Sequence, residues 1–215
     1  MENWNQVEVS ILVWIQDNLR TELFDCIMPF ISMLNNSGMI SIFTVVVLLL
    51  WRRYRHVGVT AAFSLFTEFL LLNVWLKNMV HRTRPYVMDT NLILLGDRPG
   101  DFSFPSGHAA VSFAGAFAIF MHNKKWGVAA IALAALIGFS RLYLYVHFPT
   151  DVLAGAFVGA LCAVISYFIV KFVFKQIENK KGIKIPPNKV LSPPAITNFT
   201  NSIDKSFLIN FSCTD

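Results

Sequence analysis

Four long apolar segments constrain the fold of this chain more than any other feature of its sequence. They cover residues 57–80, 107–121, 126–145 and 151–174. Segments of this kind are typical of membrane-spanning helices, which need about 20 predominantly apolar residues. Only 14% of the 215 residues are charged, whereas soluble domains average about a quarter. We therefore predict an all-α, polytopic transmembrane helix bundle whose outer surface is covered by lipid.

The N-terminal part of the chain is harder to assign to membrane spans. Residues 7–20 carry apolar side chains among polar ones, a pattern that favours an interfacial or packed amphipathic helix. Residues 23–34 and 39–51 are apolar but shorter than the ~20 residues of a straight span. We expect about six helices in total, and whether residues 1–34 cross the membrane or lie at its interface stays open.

These patterns divide the chain into three parts. We assign residues 1–21 to an N-terminal amphipathic segment, residues 22–175 to the transmembrane domain and residues 176–215 to a polar C-terminal tail. The tail is rich in Pro, Ser, Thr and Asn, which is the composition of a loosely ordered appendage. In the last apolar segment, "GAFVG" at 155–159 has the Gly-x-x-x-Gly spacing that lets two helices approach closely.

The basic residues predict the orientation of the bundle. They cluster at "RRYR" (52–55), at "KK" (124–125) and in the lysines of 171–184, each time after an even-numbered helix if the total is six. The positive-inside rule then places these clusters in the cytoplasm. We predict a multi-pass protein of the plasma membrane with a cytoplasmic C-terminus, and with the connections 82–106 and 146–150 on the extracytoplasmic side.

Three short polar stretches fall at helix ends on that extracytoplasmic side. The first, "KNMVHRTRP", carries Lys77 and Arg84. On a continuing helix these two residues lie about two turns apart and share one face, and Pro85 ends the helix near Arg84. Cations near the end of a span commonly snorkel to the interface, so this stretch alone does not indicate a binding site.

The second stretch, "DFSFPSGHAA", puts polar residues at the start of an apolar helix. Ser106 has the residue type of an N-cap, and Gly107 and His108 follow in the first turn. Helix N-termini present unpaired amides and the positive end of the helix dipole, which together attract phosphate. A glycine there lets a ligand approach the backbone. The alternative is an ordinary capped helix with an incidental histidine.

The third stretch, "SRLYLYVHFPTD", places a cation inside an apolar helix. Arg141 precedes the helix break, His147 follows at the helix end and Asp151 opens the next helix. An arginine in such a segment normally points toward a partner or a wet cavity. Asp151 is close enough in sequence to orient the imidazole of His147. The alternative is a His–Asp pair that merely ties two helices together.

Together the three stretches place cations, two imidazoles, a carboxylate and a helix N-terminus at one level of the bundle. Cations and amide donors suit a tetrahedral oxyanion, and two histidines with different partners suit a nucleophile and an acid. No His-x-x-x-His, Cys-x-x-Cys or carboxylate cluster indicates a metal site, so we expect no metal and no cofactor.

The order of these residues resembles the type 2 phosphatidic acid phosphatase family, whose site is shared with vanadium haloperoxidases. The motif reads Lys-x6-Arg-Pro, then Pro-Ser-Gly-His, then Ser-Arg-x5-His-x3-Asp, and each fixed position is present in this chain. The resemblance covers roughly residues 20–175. It implies a membrane helix bundle of the phosphatase and haloperoxidase type.

The resemblance also implies a role for each site residue. His147 would be the nucleophile that becomes phosphorylated, Asp151 would hold its tautomer, and His108 would protonate the leaving oxygen and then activate water. The phosphoryl oxygens would be bound by Lys77, Arg84, Arg141, Ser106 and the amide of Gly107. Families of this kind need no metal, in agreement with the expectation from composition.

A membrane lipid whose phosphate lies at headgroup depth is the substrate class that the resemblance implies. Undecaprenyl diphosphate is favoured, with phosphatidylglycerophosphate or phosphatidic acid as alternatives, and a lipid phosphotransferase would use the same site. The loop "NLILLGDRPGDF" at 91–102 borders the predicted lipid path or merely covers the site. We expect the bilayer and the lipid substrate as partners and no nucleic acid, and the oligomeric state stays open.

Two other classes of protein fit the sequence less well. A transporter or channel needs polar residues throughout the depth of the membrane, whereas here they cluster at one end. A non-catalytic lipid-binding protein descended from such an enzyme is the second class, but it predicts a lost His or Asp. Glu68 lies in the middle of a predicted span and has no role in any of these interpretations.

Overall fold

A computed structural model describes residues 2–88, 94–96 and 98–180 of the chain. The described residues form nine α-helices and no strand, which confirms the all-α prediction. The helices are α1 (Glu2–Leu19), α2 (Glu22–Leu34), α3 (Met39–Leu50), α4 (Arg55–Phe69), α5 (Lys77–Val80), α6 (Pro85–Met88), α7 (Gly107–His122), α8 (Lys124–Tyr143) and α9 (Pro149–Lys180). Most of the predicted polar tail lies outside the described residues.

The helices have the length and composition of membrane spans. Within the described ranges, three helical units are long and apolar enough to cross a bilayer: Arg52–Met88, Lys124–Tyr143 and Pro149–Ile177. The pair Glu22–Leu34 and Asn36–Leu50, bent by 43°, makes a fourth if it is counted as one span, and Gly107–His122 is a shorter apolar helix. Large apolar side chains such as Leu153 and Phe157 point outward, as expected where lipid replaces water. The chain is a multi-pass membrane protein.

Helix α7 lies at the centre of the bundle, packed against α4, α8 and α9. Its buried face is made of small residues, including Ala110 and Ala114, and the glycines of α9 fit against it. A Cβ added to Gly155 would lie 2.4 Å from the Ser106 carbonyl oxygen, and one added to Gly159 would lie 2.1 Å from that of Ala110. The Gly-x-x-x-Gly prediction of close helix approach is therefore confirmed.

The first helix packs on the bundle through one apolar face. Leu12 of α1 is buried against Tyr145 and Phe148, which follow α8. Ile15 packs with a second cluster that includes Met28 and Ile137. The other face of α1 carries exposed apolar residues such as Val7 and Trp14. Helix α1 is thus attached to the end of the bundle where α8 finishes and α9 begins.

One expectation about local structure is wrong. Lys77 and Arg84 do not share the face of one helix, because the helical run of residues 55–80 ends at Val80. A π-helical stretch, Leu70–Leu76, joins α4 to α5, and His81 adopts a left-handed conformation with φ 49°. A residue in that conformation terminates a helix, so Arg84 lies on the segment beyond it.

Candidate functional site

Helix ends from four elements meet around one cavity of about 880 Å³. The predicted site residues that line it are Lys77, Arg84, Gly107, His108, Arg141 and His147. The remaining two, Ser106 and Asp151, are fully buried directly behind this wall, and the Ser106 amide donates to the Asp151 carbonyl oxygen at 3.0 Å. Residues drawn from three separate stretches of the sequence are therefore brought together at one end of the bundle.

Arg84 is held rigidly beside the cavity by backbone acceptors. Its side chain is only 4% exposed. Nε donates to the Asp101 carbonyl oxygen at 2.8 Å, and Nη1 donates to the Val146 carbonyl oxygen at 2.8 Å. The same Nη1 lies 3.1 Å from His147 Nε2. The planar guanidinium is thus fixed beside the cavity, and a phosphoryl group would have to replace some of its present acceptors to gain a bidentate contact.

Lys77 provides a second cation above the first turn of α7. A Cβ added to Gly107 would lie 3.8 Å from Lys77 Nζ, so the ammonium group is next to the helix N-terminus. Both attract negative charge. Lys77 and Arg84 are also paired with the two carboxylate oxygens of Asp101. Burial alone would raise the pKa of Asp101, but these two cations outweigh it and hold that pKa at about 2.

Ser106 occupies the N-cap position of α7, as predicted from its residue type, but its side chain does not cap the helix. Among the described residues the Ser106 hydroxyl has no hydrogen-bond partner, although it is buried. Buried hydroxyls are usually bonded, so this oxygen is a candidate contact for a ligand. His108 lies in the first turn of α7. Its carbonyl oxygen accepts hydrogen bonds from Ser112 Oγ at 2.7 Å and from Asn35 Nδ2 at 3.4 Å.

His147 and Asp151 form a buried pair across the turn between α8 and α9. His147 Nδ1 lies 3.6 Å from Asp151 Oδ2, which also accepts from the Phe148 amide at 2.9 Å and from the Ser103 hydroxyl. Because Arg84 donates toward Nε2, that nitrogen is the acceptor and Nδ1 carries the proton that faces Asp151. In this tautomer the Nε2 lone pair faces the Arg84 guanidinium, and both residues line the cavity.

Burial controls the protonation of His147. It lowers the pKa of the imidazole to about 4, in concert with the charges of Arg84 and Arg141, while the nearby carboxylate of Asp151 acts in the opposite direction. His147 is therefore neutral near pH 7. A neutral imidazole, whose Nε2 is unprotonated, is the form that can act as a nucleophile.

Arg141 completes the ring of cations. It lies at the end of α8, is buried, and donates a hydrogen bond to Ser32 of α2. The contact holds the guanidinium at the cavity wall, because Ser32 lines the same cavity. An arginine directed into a polar cavity is the arrangement expected for a cation within an apolar helix.

Sequence reasoning missed the residues that hold the site residues in place. Asp101, which pairs with Lys77 and Arg84, lies in a loop without a recognisable motif. Arg82 contacts Asp151. The sequence held one signal for it, because a cation in a connection that is predicted to be extracytoplasmic departs from the positive-inside pattern.

The far wall of the cavity is apolar. It is formed by residues of α2, α3 and α4, among them Met33, Ile42, Leu65, Phe66 and Phe69. Glu68, which had no role from sequence, is buried at this wall. A pocket with cations at one end and apolar side chains along the other matches an amphipathic ligand. No group of three or more His, Cys, Asp or Glu able to hold a metal occurs in the part of the chain that the structure describes.

The fold and the site define a polytopic membrane protein with a cavity lined by cationic side chains at one end of its helix bundle. The sequence profile of the PAP2 superfamily matches residues 54–175, more than half of the chain. The chain belongs to the PAP2 superfamily. The resemblance to type 2 phosphatidic acid phosphatases that the motifs indicated is thereby confirmed.

Individual relatives agree with this assignment. An undecaprenyl-diphosphatase of Sulfolobus acidocaldarius is 33% identical over 64% of this chain and 63% of its own. A lipid A 4'-phosphatase of Bacteroides thetaiotaomicron is 40% identical over 46% of this chain and 47% of its own. The chain thus spans less than two thirds of the length of these relatives. The crystal structure of a transmembrane PAP2-type phosphatidylglycerolphosphate phosphatase from Bacillus subtilis matches with a TM-score of 0.63 at 26% identity, over 82% of this chain and 89% of that one.

Proposed function

We propose that this chain is a metal-independent membrane lipid phosphatase that hydrolyses a phosphate monoester or diphosphate headgroup through a phosphohistidine intermediate. One observation carries the proposal: Lys77, Arg84, Arg141, His108 and His147 line a single cavity whose other wall is apolar. Cations at one end suit a phosphoryl group, and apolar side chains at the other suit the lipid chain that carries it.

In the first step, His147 Nε2 attacks phosphorus. The P–Nε2 bond forms with the imidazole lone pair, and the bond from phosphorus to the leaving oxygen breaks. His108, which takes up a proton as the anionic headgroup binds among the surrounding cations, gives that proton to the leaving oxygen. Asp151 faces Nδ1–H and stabilises the positive charge that His147 gains. Arg84, which contacts Nε2 beforehand, turns its donor to a phosphoryl oxygen as the new bond forms.

In the second step, water hydrolyses the intermediate. His108, now neutral, accepts a proton from water as the water oxygen bonds to phosphorus. The P–Nε2 bond breaks, its electron pair returns to His147, and inorganic phosphate leaves. Both imidazoles are then back in their starting protonation states, so the same pair of histidines serves both steps.

Phosphoryl transfer is catalysed mostly by positioning and by electrostatic stabilisation of charge spread over the equatorial oxygens. Lys77, Arg84 and Arg141 supply three positive charges around the cavity, and the amide of Gly107 and the hydroxyl of Ser106 add neutral donors. These cationic side chains supply the positive charge that a bound metal supplies in other phosphatases. The proposed chemistry therefore needs no metal and no other cofactor.

The substrate that we favour is undecaprenyl diphosphate, with phosphatidylglycerophosphate and phosphatidic acid as the alternatives. Relatives of this chain are named for undecaprenyl diphosphate, phosphatidylglycerophosphate and lipid A. All three are lipids that carry phosphate, which supports a lipid phosphate as the substrate class. The basic clusters on the opposite end of the bundle support an active site on the extracytoplasmic side of the plasma membrane with a cytoplasmic C-terminus.

A panel of lipid phosphates in detergent tests this proposal. The purified chain is incubated with undecaprenyl diphosphate, phosphatidylglycerophosphate, phosphatidic acid and lipid A, with and without EDTA, and released phosphate is measured. We expect release from at least one lipid, undiminished by EDTA. No release from any of them, or activity that disappears with EDTA and returns with a divalent ion, would contradict the proposal.

A further inference from the structure

A second residue of the first polar stretch reaches the buried aspartate of the site. Arg82 Nη1 donates to Asp151 Oδ1 at 2.7 Å, and to Thr150 Oγ1 at 2.7 Å. The guanidinium carbon lies 4.0 Å from the ring centroid of Phe148. Arg82 does not line the cavity. It therefore contacts the site from behind, through the carboxylate that faces His147.

The opposite side of Arg82 is paired with a carboxylate from the first helix. Arg82 Nη2 forms an ion pair with Glu8, whose side chain is 7% exposed. Glu8 Oε1 also accepts from the Thr150 amide at 2.9 Å and from the Thr150 hydroxyl at 2.6 Å. An ionised carboxylate in so buried a position is expected to have such charged and hydrogen-bonded partners.

These contacts form a row of alternating charge that ends at the proposed nucleophile. The order is Glu8, Arg82, Asp151 and His147, with each neighbouring pair in the contacts given above. Glu8 lies outside the residues 54–175 that match the superfamily. Helix α1 thus brings into the row a group that the superfamily match does not contain.

We propose that Glu8 and Arg82 are positioning residues that set the orientation and the effective charge of Asp151 toward His147. The inference rests on the proposed function, because it concerns the nucleophile of that reaction. Arg82 holds Asp151 and offsets part of its negative charge. Glu8 holds Arg82 and offsets part of its positive charge, so that α1 adjusts the basicity of His147 without touching substrate.

A row of charges that only ties α1 to the bundle would lower stability when it is broken but would not change how His147 titrates. The groups that face His147 are Arg84 from the segment before α6, His108 from α7, Arg141 from α8 and Asp151 from α9. None of these four residues is itself replaced in the Glu8 and Arg82 variants, so they can affect His147 only through the contacts of Asp151. A change in the titration of His147 would therefore report the row itself.

The test is the pH dependence of kcat/KM for phosphate release by Glu8→Gln and Arg82→Gln, from pH 3 to 9. Removing the cation at Arg82 leaves Asp151 more negative, so the acidic midpoint is expected to move up by about half a unit or more. Removing the anion at Glu8 leaves Arg82 uncompensated, so the midpoint is expected to move down. The exposed Asp17 and Arg53 provide the matched controls Asp17→Asn and Arg53→Gln.

Two further variants separate charge from folding. Arg82→Lys keeps the cation and is expected to restore the wild-type midpoint with a lower kcat, and Glu8→Gln/Arg82→Gln is expected to lie between the two single variants. Each sample is returned to pH 7 and assayed again, so that acid unfolding is not counted as titration. Melting temperatures in detergent show which variants fold.

Opposite shifts of the two midpoints are the expected result. Unchanged midpoints in folded, active variants, or shifts in the same direction, would overturn the inference while the proposed function stands. If Arg82→Gln does not fold, the inference is tested by the other two variants. It requires a lower midpoint in Glu8→Gln and a wild-type midpoint in Arg82→Lys. A wild-type chain that releases no phosphate from any lipid would instead contradict the proposed function.

Discussion

Arg84 Nη1 lies 3.1 Å from Nε2 of His147. A proposed phosphate donor and the proposed nucleophilic atom are therefore neighbours before any reaction begins. A phosphorus atom that approaches Nε2 brings its oxygens within reach of the same guanidinium, since the carbonyl oxygens of Asp101 and Val146 hold Arg84 in place. A donor held this close to the reacting atom favours phosphoryl transfer, because only a short shift from Nε2 to a phosphoryl oxygen is required as the new bond forms.

Replacement of Arg84 should impair the chemical step. We expect Arg84→Ala to lower kcat/KM for phosphate release by about 10²–10³, the loss typical when one donor to a developing oxyanion is removed. Arg84→Lys keeps the charge but cannot make the same set of planar contacts, so it should recover only part of the rate. Arg53→Ala, in an exposed position at the other end of the bundle, is the control. Wild-type rates in folded Arg84→Ala would show that this contact has no catalytic role.

Replacement of Asp101 should strengthen binding of the inorganic phosphate product. Its carboxylate pairs with Lys77 and Arg84, and the pKa of about 2 keeps it ionised throughout the working range. An incoming phosphate must compete with it for these cations. We expect Asp101→Asn to lower the inhibition constant of phosphate by a factor of about 2–5, the range for a half-exposed ion pair. An unchanged or higher inhibition constant would show that the carboxylate does not compete.

The pH dependence of kcat/KM should be bell-shaped with an unusually low acidic midpoint. Burial lowers the pKa of His147 from 6.5 to about 4, so the nucleophile stays neutral until the pH falls through about 4. The imidazole of His108 must be protonated when the leaving oxygen departs, so activity also falls at high pH. Because the unfolded chain binds this proton more tightly, stability should decrease as the pH falls from about 6.5 toward 4. A flat profile from about pH 5 to 9 would contradict opposite roles for the two histidines.

Close packing of α7 on α9 should depend on the absence of a side chain at Gly159. Any Cβ there would overlap the Ala110 carbonyl oxygen at 2.1 Å, which forces the two helices apart. We expect Gly159→Ala to lower the free energy of unfolding by about 1–3 kcal/mol, the usual effect of overpacking. Gly100→Ala is the matched control, since a Cβ added there meets no atom within 4 Å. Equal melting temperatures for the two variants would contradict this account of the packing.

Helix type and the grouping of the site could be predicted from the sequence because both depend on local patterns. Apolar runs of fixed length predict helices, and the start of α7 at Gly107 follows from the small polar residues before an apolar run. The three polar stretches were expected at the same end of the bundle. The end of one span and the start of the next lie on the same side of a membrane, and each stretch falls at such a connection. The structure places them around one cavity.

Contacts between distant parts of the chain could not be predicted in the same way. The pairing of Glu8 with Arg82 joins α1 to a loop beyond α5, and no periodicity in either segment indicates it. The early end of α5 depends on the left-handed conformation of His81, which histidine adopts more often than most residues but still in a small minority of cases, so the residue type alone does not mark a helix end. Asp101 was missed because a single acidic residue in a loop carries no motif, and its role depends on which cations the fold brings beside it.

The most direct test of the central claim is phosphate release by the purified chain and by His147→Ala with the lipid phosphate that the wild type prefers. The control is His56→Ala, which removes a histidine at the other end of the bundle, and size-exclusion chromatography in detergent establishes that each variant is folded. We expect His147→Ala to lose at least about 10³-fold in kcat, since the covalent route is closed without its nucleophile. Wild-type turnover by folded His147→Ala would contradict the phosphohistidine mechanism.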